Sequence, residues 1–419
     1  MTRVVITGAG CITPIGQDVA SFTENLFAGR SGITEMMGRP PELHFTHTAR
    51  VEDFRQPEWL TASQRQIAER SSAFAIASAR QAVQQSGILG AHARDRIAVI
   101  FGCSTGGRTT EEQEYEKLYT RGGRIHPLTV PRVMASAGTS LVSMEHGITG
   151  PAFTITTACA SGTHAIGLAF QMVRSGAVTA ALTGAHEAPL TYAFLKSWDS
   201  LHVVSPTACR PFAADRDGMT LGEGAAIFAI ETLDSALERG ADILAEIVGF
   251  GMSSDAHHIT QPSPAGPATA MLRAIEDAKA ALEEVGYVNA HGTGTEANDR
   301  AEAEAIHAVF RERARSLPIS STKGLHGHAI GASGAMELLA TALAFRQGLL
   351  PANAGLASSG SKVDPAFDLD HVLLTNEPSE VSLALSSSFA FGGLNGVLAL
   401  RRYERAREQG AAEIRDSVY

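Results

Sequence analysis

The chain has 419 residues, 44% hydrophobic and 19% charged, with a formal net charge of −10. That is enough apolar material for one or two buried cores, yet no stretch approaches the roughly 20 consecutive apolar residues of a membrane-crossing helix. The acidic balance argues against a nucleic-acid binder, which needs clustered Lys and Arg to meet phosphates.

The start, "MTRVVITGAGCITPIG", has neither a long apolar signal region nor a small-residue cleavage site, so the expectation is a soluble, cytoplasmic protein without membrane insertion. "RVVITGAG" reads as a first strand, residues 62–86 as a helix, and "RIAVIFGCS" as a second strand. A helix follows over 160–175, then strands in "AALTGAHEA", "AEIVGFGMSS", "YVNAHGTGT", "PISSTKG" and "GVLALRRY". This alternation predicts an α/β architecture with functional residues at the carboxyl ends of strands. Residues 155–167, "ITTACASGTHAIG", align without a gap on 319–331, "ISSTKGLHGHAIG", and suggest two similarly built halves. The charged tail, 404–419, reads as a surface appendage.

Four cysteines, at 11, 103, 159 and 209, form no close pairs and suit a reducing compartment. Cys159 differs from the others in its neighbours. Small residues (Ala158, Ala160, Ser161, Gly162) leave room for a substrate, and Ile166, Ala169, Phe170 and Val173 continue at helical spacing up to Arg174 and Gly176. Cys159 therefore stands at a helix start, where free amides and the helix dipole are expected to lower a thiol pKa and hold an oxyanion. The bland reading, a small buried hydrophobe, is preferred for Cys11, Cys103 and Cys209.

His291, in "NAHGTGT", ends one strand pattern beside Thr293 and Thr295, whose hydroxyls suit a polar ligand. Lys323 and His328 lie at a second strand-to-helix junction. Two histidines and a thiol at strand ends would make a reaction centre. "HGH" and "HH" lack a carboxylate or cysteine at supporting spacing, so no metal is expected. Residues 382–400 predict a strand, a glycine-rich loop with Phe389 and Phe391, and another strand; such a loop brings backbone close to a ligand, or forms a tight hairpin over buried phenylalanines.

Together "TACASG", "DRDGMTLGEGAA", "VGFGMSSDAHH", "NAHGTGTEANDRAEAEA", "SSTKGLHGHAIGASGAME" and "SFAFGGLNG" make the chain resemble the β-ketoacyl-acyl carrier protein synthases of the synthase II type, condensing enzymes of the thiolase superfamily, up to about Arg402. The resemblance implies a thiolase-like duplicated α-β-α-β-α five-layer sandwich, with residues 1–250 as the half carrying the nucleophile and 251–403 as the half carrying the histidines. It places the active cysteine on Cys159, the histidines on His291 and His328, the invariant lysine on Lys323 and the supporting acid on Glu337. It implies an oxyanion hole from the amides of Cys159 and Phe391, pantetheine and substrate contacts from Thr293, Thr295 and Phe389, and no cofactor. Substrates would arrive on the phosphopantetheine of an acyl carrier protein. The working unit implied is a homodimer, or a heterodimer with a chain-length factor.

Ala390, Leu394 and Thr105 depart from housekeeping members, Thr105 where an aliphatic often lines the acyl pocket. These departures look more like nodulation-type and type II polyketide or polyene ketosynthases. Arg210, with Arg65 and Arg70, is expected to offer a basic patch to an acidic carrier protein. Three rivals are weaker: a dinucleotide-binding oxidoreductase, whose fingerprint lacks its third glycine at Thr13; a non-catalytic chain-length partner, which needs no Cys159 with two histidines; and a cysteine-dependent acyl hydrolase, which needs neither the second histidine nor the pantetheine threonines.

Overall fold

The computed structural model describes residues 2–404 apart from Pro57. Apart from Glu404, the charged tail lies outside the described residues. Ten strands form one hydrogen-bonded array: β1 (Val4–Ile12), β2 (Ile97–Gly102), β3 (Ala152–Ile155), β4 (Ala180–Glu187), β5 (Gly224–Thr232), β6 (Ala245–Ser254), β7 (Val285–Asn289), β8 (Ile319–Ser320), β9 (Leu383–Ala390) and β10 (Leu394–Arg401). The order across it is β8-β7-β9-β10-β6-β1-β5-β4-β2-β3.

Outward from the centre, β1-β5-β4-β2-β3 on one side repeats as β6-β10-β9-β7-β8 on the other. Each run starts with two antiparallel pairings and ends with two parallel ones. The halves join through Val4–Ile6 of β1 against residues 245–247 of β6.

Seven helices matter for the site: α1 (Arg70–Ser86), α2 (Ala137–His146), α3 (Ser161–Arg174), α4 (Tyr192–Asp199), α5 (Ala265–Asp277), α6 (Glu296–Phe310) and α7 (Ser333–Gln347). α1 and α2 cover the outer face of the first half, and α5 with α6 covers the second. α3 and α7 lie between, each packed against strands of both halves, which completes the five layers. A helix so placed must be apolar all round. Every residue of α7 from Ser333 to Phe345 is buried, and each Leu or Phe there contributes roughly 1.5–3 kcal/mol, which offsets the cost of carrying Glu337 inward.

Two expectations need correction. The helix over 62–86 is broken: a short helix, Ala62–Ile67, ends at Ala68, and Glu69 caps α1 by accepting from the amides of Ser71 and Ser72. The echo is displaced as well. Both segments follow the outermost strand of their half, but α3 begins at Ser161 whereas α7 begins only at Ser333, after a four-residue helical turn, Lys323–His326, and a 3-10 turn, Ile330–Ala332. Those extra residues carry Lys323 and His328 into the site.

Gly8 and Gly10 lie within β1, not in a loop beyond it. A Cβ on either would stand 2.4 Å or less from a carbonyl oxygen of α1. Their role is close strand-to-helix packing, which leaves the dinucleotide reading without a phosphate cradle.

Candidate active site

Three strand-end segments converge on one cavity of about 400 Å³, whose wall includes Cys159, His291, Thr293, Thr295, His328, Phe389, Phe391 and Trp198. Cys159 sits on a tight turn between β3 and α3. Ala158 adopts φ +47°, and its carbonyl accepts from the Ser104 and Ser161 hydroxyls, at 2.7 Å each. Those bonds hold a conformation that a non-glycine residue otherwise avoids.

The thiol corrects the expectation of a lowered pKa. Burial pushes it up to about 12, against the pull of Lys323 and of the amides of Cys159 and Phe391, while Glu337 adds to the rise. Desolvation outweighs those opposing effects. Cys11, Cys103 and Cys209 are buried free thiols, as expected.

His328 Nε2 lies 3.2 Å from Cys159 Sγ, and Ser333 Oγ lies 2.8 Å from its Nδ1. The two ring nitrogens of His328 thus have Ser333 and Cys159 as their partners. The His291 ring stands nearly perpendicular to that of His328, centroids 5.3 Å apart. Its Nδ1 is 3.3 Å from Lys323 Nζ, and an ammonium only donates, so the His291 proton sits on Nε2. Burial first, and then Lys323, hold both imidazoles well below their ordinary pKa. Both are therefore neutral at physiological pH, and His291 presents its Nε2–H. Lys323, fully buried, also donates to the His291 carbonyl and is ion-paired with Glu337.

The backbone amides of Cys159 and Phe391 act on the sulfur as well, each favouring its charged form. Thr293 and Thr295 line the cavity with their hydroxyl oxygens 2.9 Å apart, and the Phe389 ring meets the edge of His291 at 5.9 Å. Phe391 stacks on Trp198 of α4, centroids 5.5 Å apart and planes 24° from parallel.

The sequence reading missed Trp198, and it also missed two buried carboxylates on one face of α6. Glu302 accepts from the His291 and Gly292 amides at 2.8 and 2.7 Å. Asp299 accepts from Thr293, Gly294 and Phe212. Acids three apart in a helix directly after a glycine-rich turn were the available signal.

Other expected roles do not match the structure. Thr105 lies outside the wall of this cavity, with its hydroxyl 2.5 Å from Glu187 Oε1. The basic patch is largely neutralised: Arg70 is ion-paired with buried Glu223 at 2.5 Å, and Arg210 with Asp217 at 2.9 Å. Only Arg65 is exposed, and it donates to the Glu58 carbonyl. The donor atoms of Cys159, His291 and His328 lie within 4.8 Å of one another, which is close enough for a thiophilic metal, but the neighbouring Lys323 ammonium repels a dication. No described helix is long and apolar enough to cross a membrane.

Comparison with known proteins shows the family. Residues 1–236 match the family model "Beta-ketoacyl synthase, N-terminal domain", and 244–357 match "Beta-ketoacyl synthase, C-terminal domain". Nodulation protein E of Rhizobium sp. (strain N33) is 40% identical over 405 residues, 96% of this chain and 99% of that protein. The 3-oxoacyl-[acyl-carrier-protein] synthase 2 of Staphylococcus aureus (strain COL) is 38% identical over 412 residues, again 96% and 99%. Among solved structures, the ishigamide ketosynthase/chain length factor superposes with a TM-score of 0.89 at 32% identity, covering 96% of this chain and all of that one. The chain belongs to the beta-ketoacyl synthase family, C–C bond-forming enzymes of the acyltransferase class.

Proposed function

We propose that this protein catalyses decarboxylative Claisen condensation between an acyl chain held on Cys159 and malonyl-acyl carrier protein. The observation that carries the reading is the convergence of two neutral imidazoles on one sulfur, with donor atoms within 4.8 Å of one another, where the Cys159 and Phe391 amides also favour negative charge.

In the first step Cys159 Sγ attacks the acyl thioester, the carrier's C–S bond breaks, and the thiol proton leaves with the pantetheine sulfur. Loss of that proton is coupled to attack, because burial holds the resting thiol neutral. The amides of Cys159 and Phe391 receive the oxyanion. In the second step malonyl thioester enters along Thr293 and Thr295. Nε2–H of His291 and of His328 donate to its carbonyl oxygen as the C–CO₂ bond breaks and the enolate forms. The enolate carbon attacks the acyl thioester, the Cys159 C–S bond breaks, and the thiolate takes up one proton from solvent. The product is a β-ketoacyl chain two carbons longer. Decarboxylation drives the bond formation, so the reaction as written needs no cofactor.

Residues 1–250 and 251–403 are read as the two halves of this machine, working in the cytoplasm. A second reading, a specialised polyketide or polyene pathway with a chain-length factor as partner, is favoured by the likeness to the ishigamide ketosynthase/chain length factor. With Cys159 and both histidines present, this chain would be the catalytic subunit.

The test is intact-mass spectrometry of wild type and Cys159→Ala with a panel of acyl-carrier thioesters, followed by malonyl carrier. Adducts on wild type alone, then longer β-keto products, support the reading. Adducts on the mutant refute the role of Cys159.

A further inference from the structure

Glu187, the last residue of β4, is completely buried and has no cationic partner among the described residues. Five donors converge on its carboxylate. Oε1 accepts from the Thr105 amide (3.0 Å), the Thr105 hydroxyl (2.5 Å) and the Cys103 thiol (3.5 Å). Oε2 accepts from the Ser104 amide (2.8 Å) and the Gly331 amide (3.2 Å).

Two of these contacts lead directly into the reaction centre, from opposite halves of the duplicated fold. Ser104, fixed through its amide, donates its hydroxyl to the carbonyl of Ala158, the residue with φ +47° immediately before the nucleophile. Gly331 lies three residues after His328, in the turn where Ile330 adopts φ +46°. That turn is built around the carboxylate. A Cβ at Gly331 would stand 2.7 Å from Glu187 Oε2 and 2.6 Å from Ser104 Oγ. A carboxylate without a counter-ion is costly to bury, so five donors on it fix their own positions as strongly as they satisfy its charge.

We propose that Glu187 is a positioning residue that sets the Cys159 turn and the His328 turn in register with each other, and that Thr105 tightens this link through its hydroxyl. This rests on the roles given above to Cys159 and His328. Neither residue touches substrate; both act through the backbone of the groups that do. A misplacement of about 1 Å at a reacting group costs on the order of 100-fold in rate, so a shared anchor acts on both half-reactions.

The test measures the half-reactions separately: acyl transfer to Cys159 by intact mass, and CO₂ release from malonyl carrier protein. For Glu187→Gln, which keeps the shape but swaps one acceptor for a donor, both rates are expected to fall on the order of 10- to 100-fold, with KM for either carrier within about threefold. Thr105→Val is expected to slow both by about three- to tenfold, and Thr105→Ser to restore them. A folded Glu187→Gln protein with wild-type rates in both steps, or with only one step slowed, overturns the coupling. If Glu187→Gln fails to fold, the Thr105 pair decides: equal rates for the Val and Ser variants overturn the proposal. Failure of wild type itself to acylate at Cys159 is a different result and overturns the condensing reading on which this one stands.

Discussion

Lys323 Nζ lies 3.3 Å from Nδ1 of His291 while donating to the carbonyl oxygen of the same residue at 2.5 Å. One ammonium thereby fixes both the tautomer and the backbone of a histidine 32 positions away in sequence. Glu337 completes the arrangement as a fully buried counter-ion.

Lys323→Met removes the fixed donor at Nδ1 and leaves Glu337 uncompensated. Breaking such a buried pair from one side costs about 3–5 kcal/mol. The double variant Lys323→Met with Glu337→Gln is expected to recover much of that stability in denaturant unfolding. It should still decarboxylate malonyl carrier on the order of 100-fold more slowly, because His291 is then free to take the other tautomer. Stability and decarboxylation recovering together in the double variant would show that Lys323 acts only on folding.

The buried thiol makes an alkylation prediction with a definite sign. Because burial pushes Cys159 up to about 12, its thiolate fraction keeps rising throughout the range below that value. Iodoacetamide labelling, located by peptide mass, should accelerate steadily from about pH 7 to pH 10 without levelling. A plateau by about pH 8 would mean that the helix end outweighs burial after all.

Glu302 is pushed up to about 7 by burial, above its ordinary carboxylate value of 4.5. Below about pH 7 the carboxyl is protonated in the fold, and one of the two amides it accepts from, at His291 or Gly292, loses strength. Condensation kcat is expected to fall on that acid side, and Glu302→Gln should remove this limb while lowering kcat at every pH. For stability the sign is opposite. The folded pKa exceeds the unfolded one, so this group's contribution is complete below about 4.5 and is lost as pH rises toward 7. Glu69, pushed to about 7 likewise, adds to the stability change from its place at the α1 N-terminus, and Glu302→Gln should leave that part intact.

Trp198 holds the ring of the residue whose amide faces Cys159 Sγ. Aromatic stacking of this kind is worth about 0.5–1.5 kcal/mol. Trp198→Ala is therefore expected to slow acyl transfer by roughly 2- to 13-fold, with Trp198→Phe near wild type, both read by the intact-mass assay. Equal rates for the two variants would show that Gly392 and Gly393, at φ +84° and +69°, hold the loop without help.

Arg70 gives a prediction against its expected surface role. With its guanidinium on buried Glu223, Arg70→Met should cost about 3–5 kcal/mol of stability and leave KM for the carrier protein unchanged. A raised carrier KM in a stable variant would return Arg70 to the docking surface.

The sequence by itself determined the alternation of strands and helices, the duplicated plan, and the placement of Cys159, His291 and Lys323 just after strand ends, because each follows a short apolar run that stops at small or polar residues. Such signals are local: strand periodicity, helix starts and glycine turns all act over a few positions. Tertiary structure alone decided the rest. The pKa of Cys159 depends on how completely Leu195, Met219, Leu221, Ile330 and Ala390, which cluster with it, exclude water, and no spacing encodes that. Thr105 and Arg70 were misplaced for the same reason, since their partners, Glu187 and Glu223, lie 82 and 153 positions away. Asp299, Glu302 and Glu187 carry no local mark of their partners, because the backbone amides around them are brought there by the fold. Burial and long-range hydrogen bonding are properties of the packed layers, and they bring the local motifs together around one cavity.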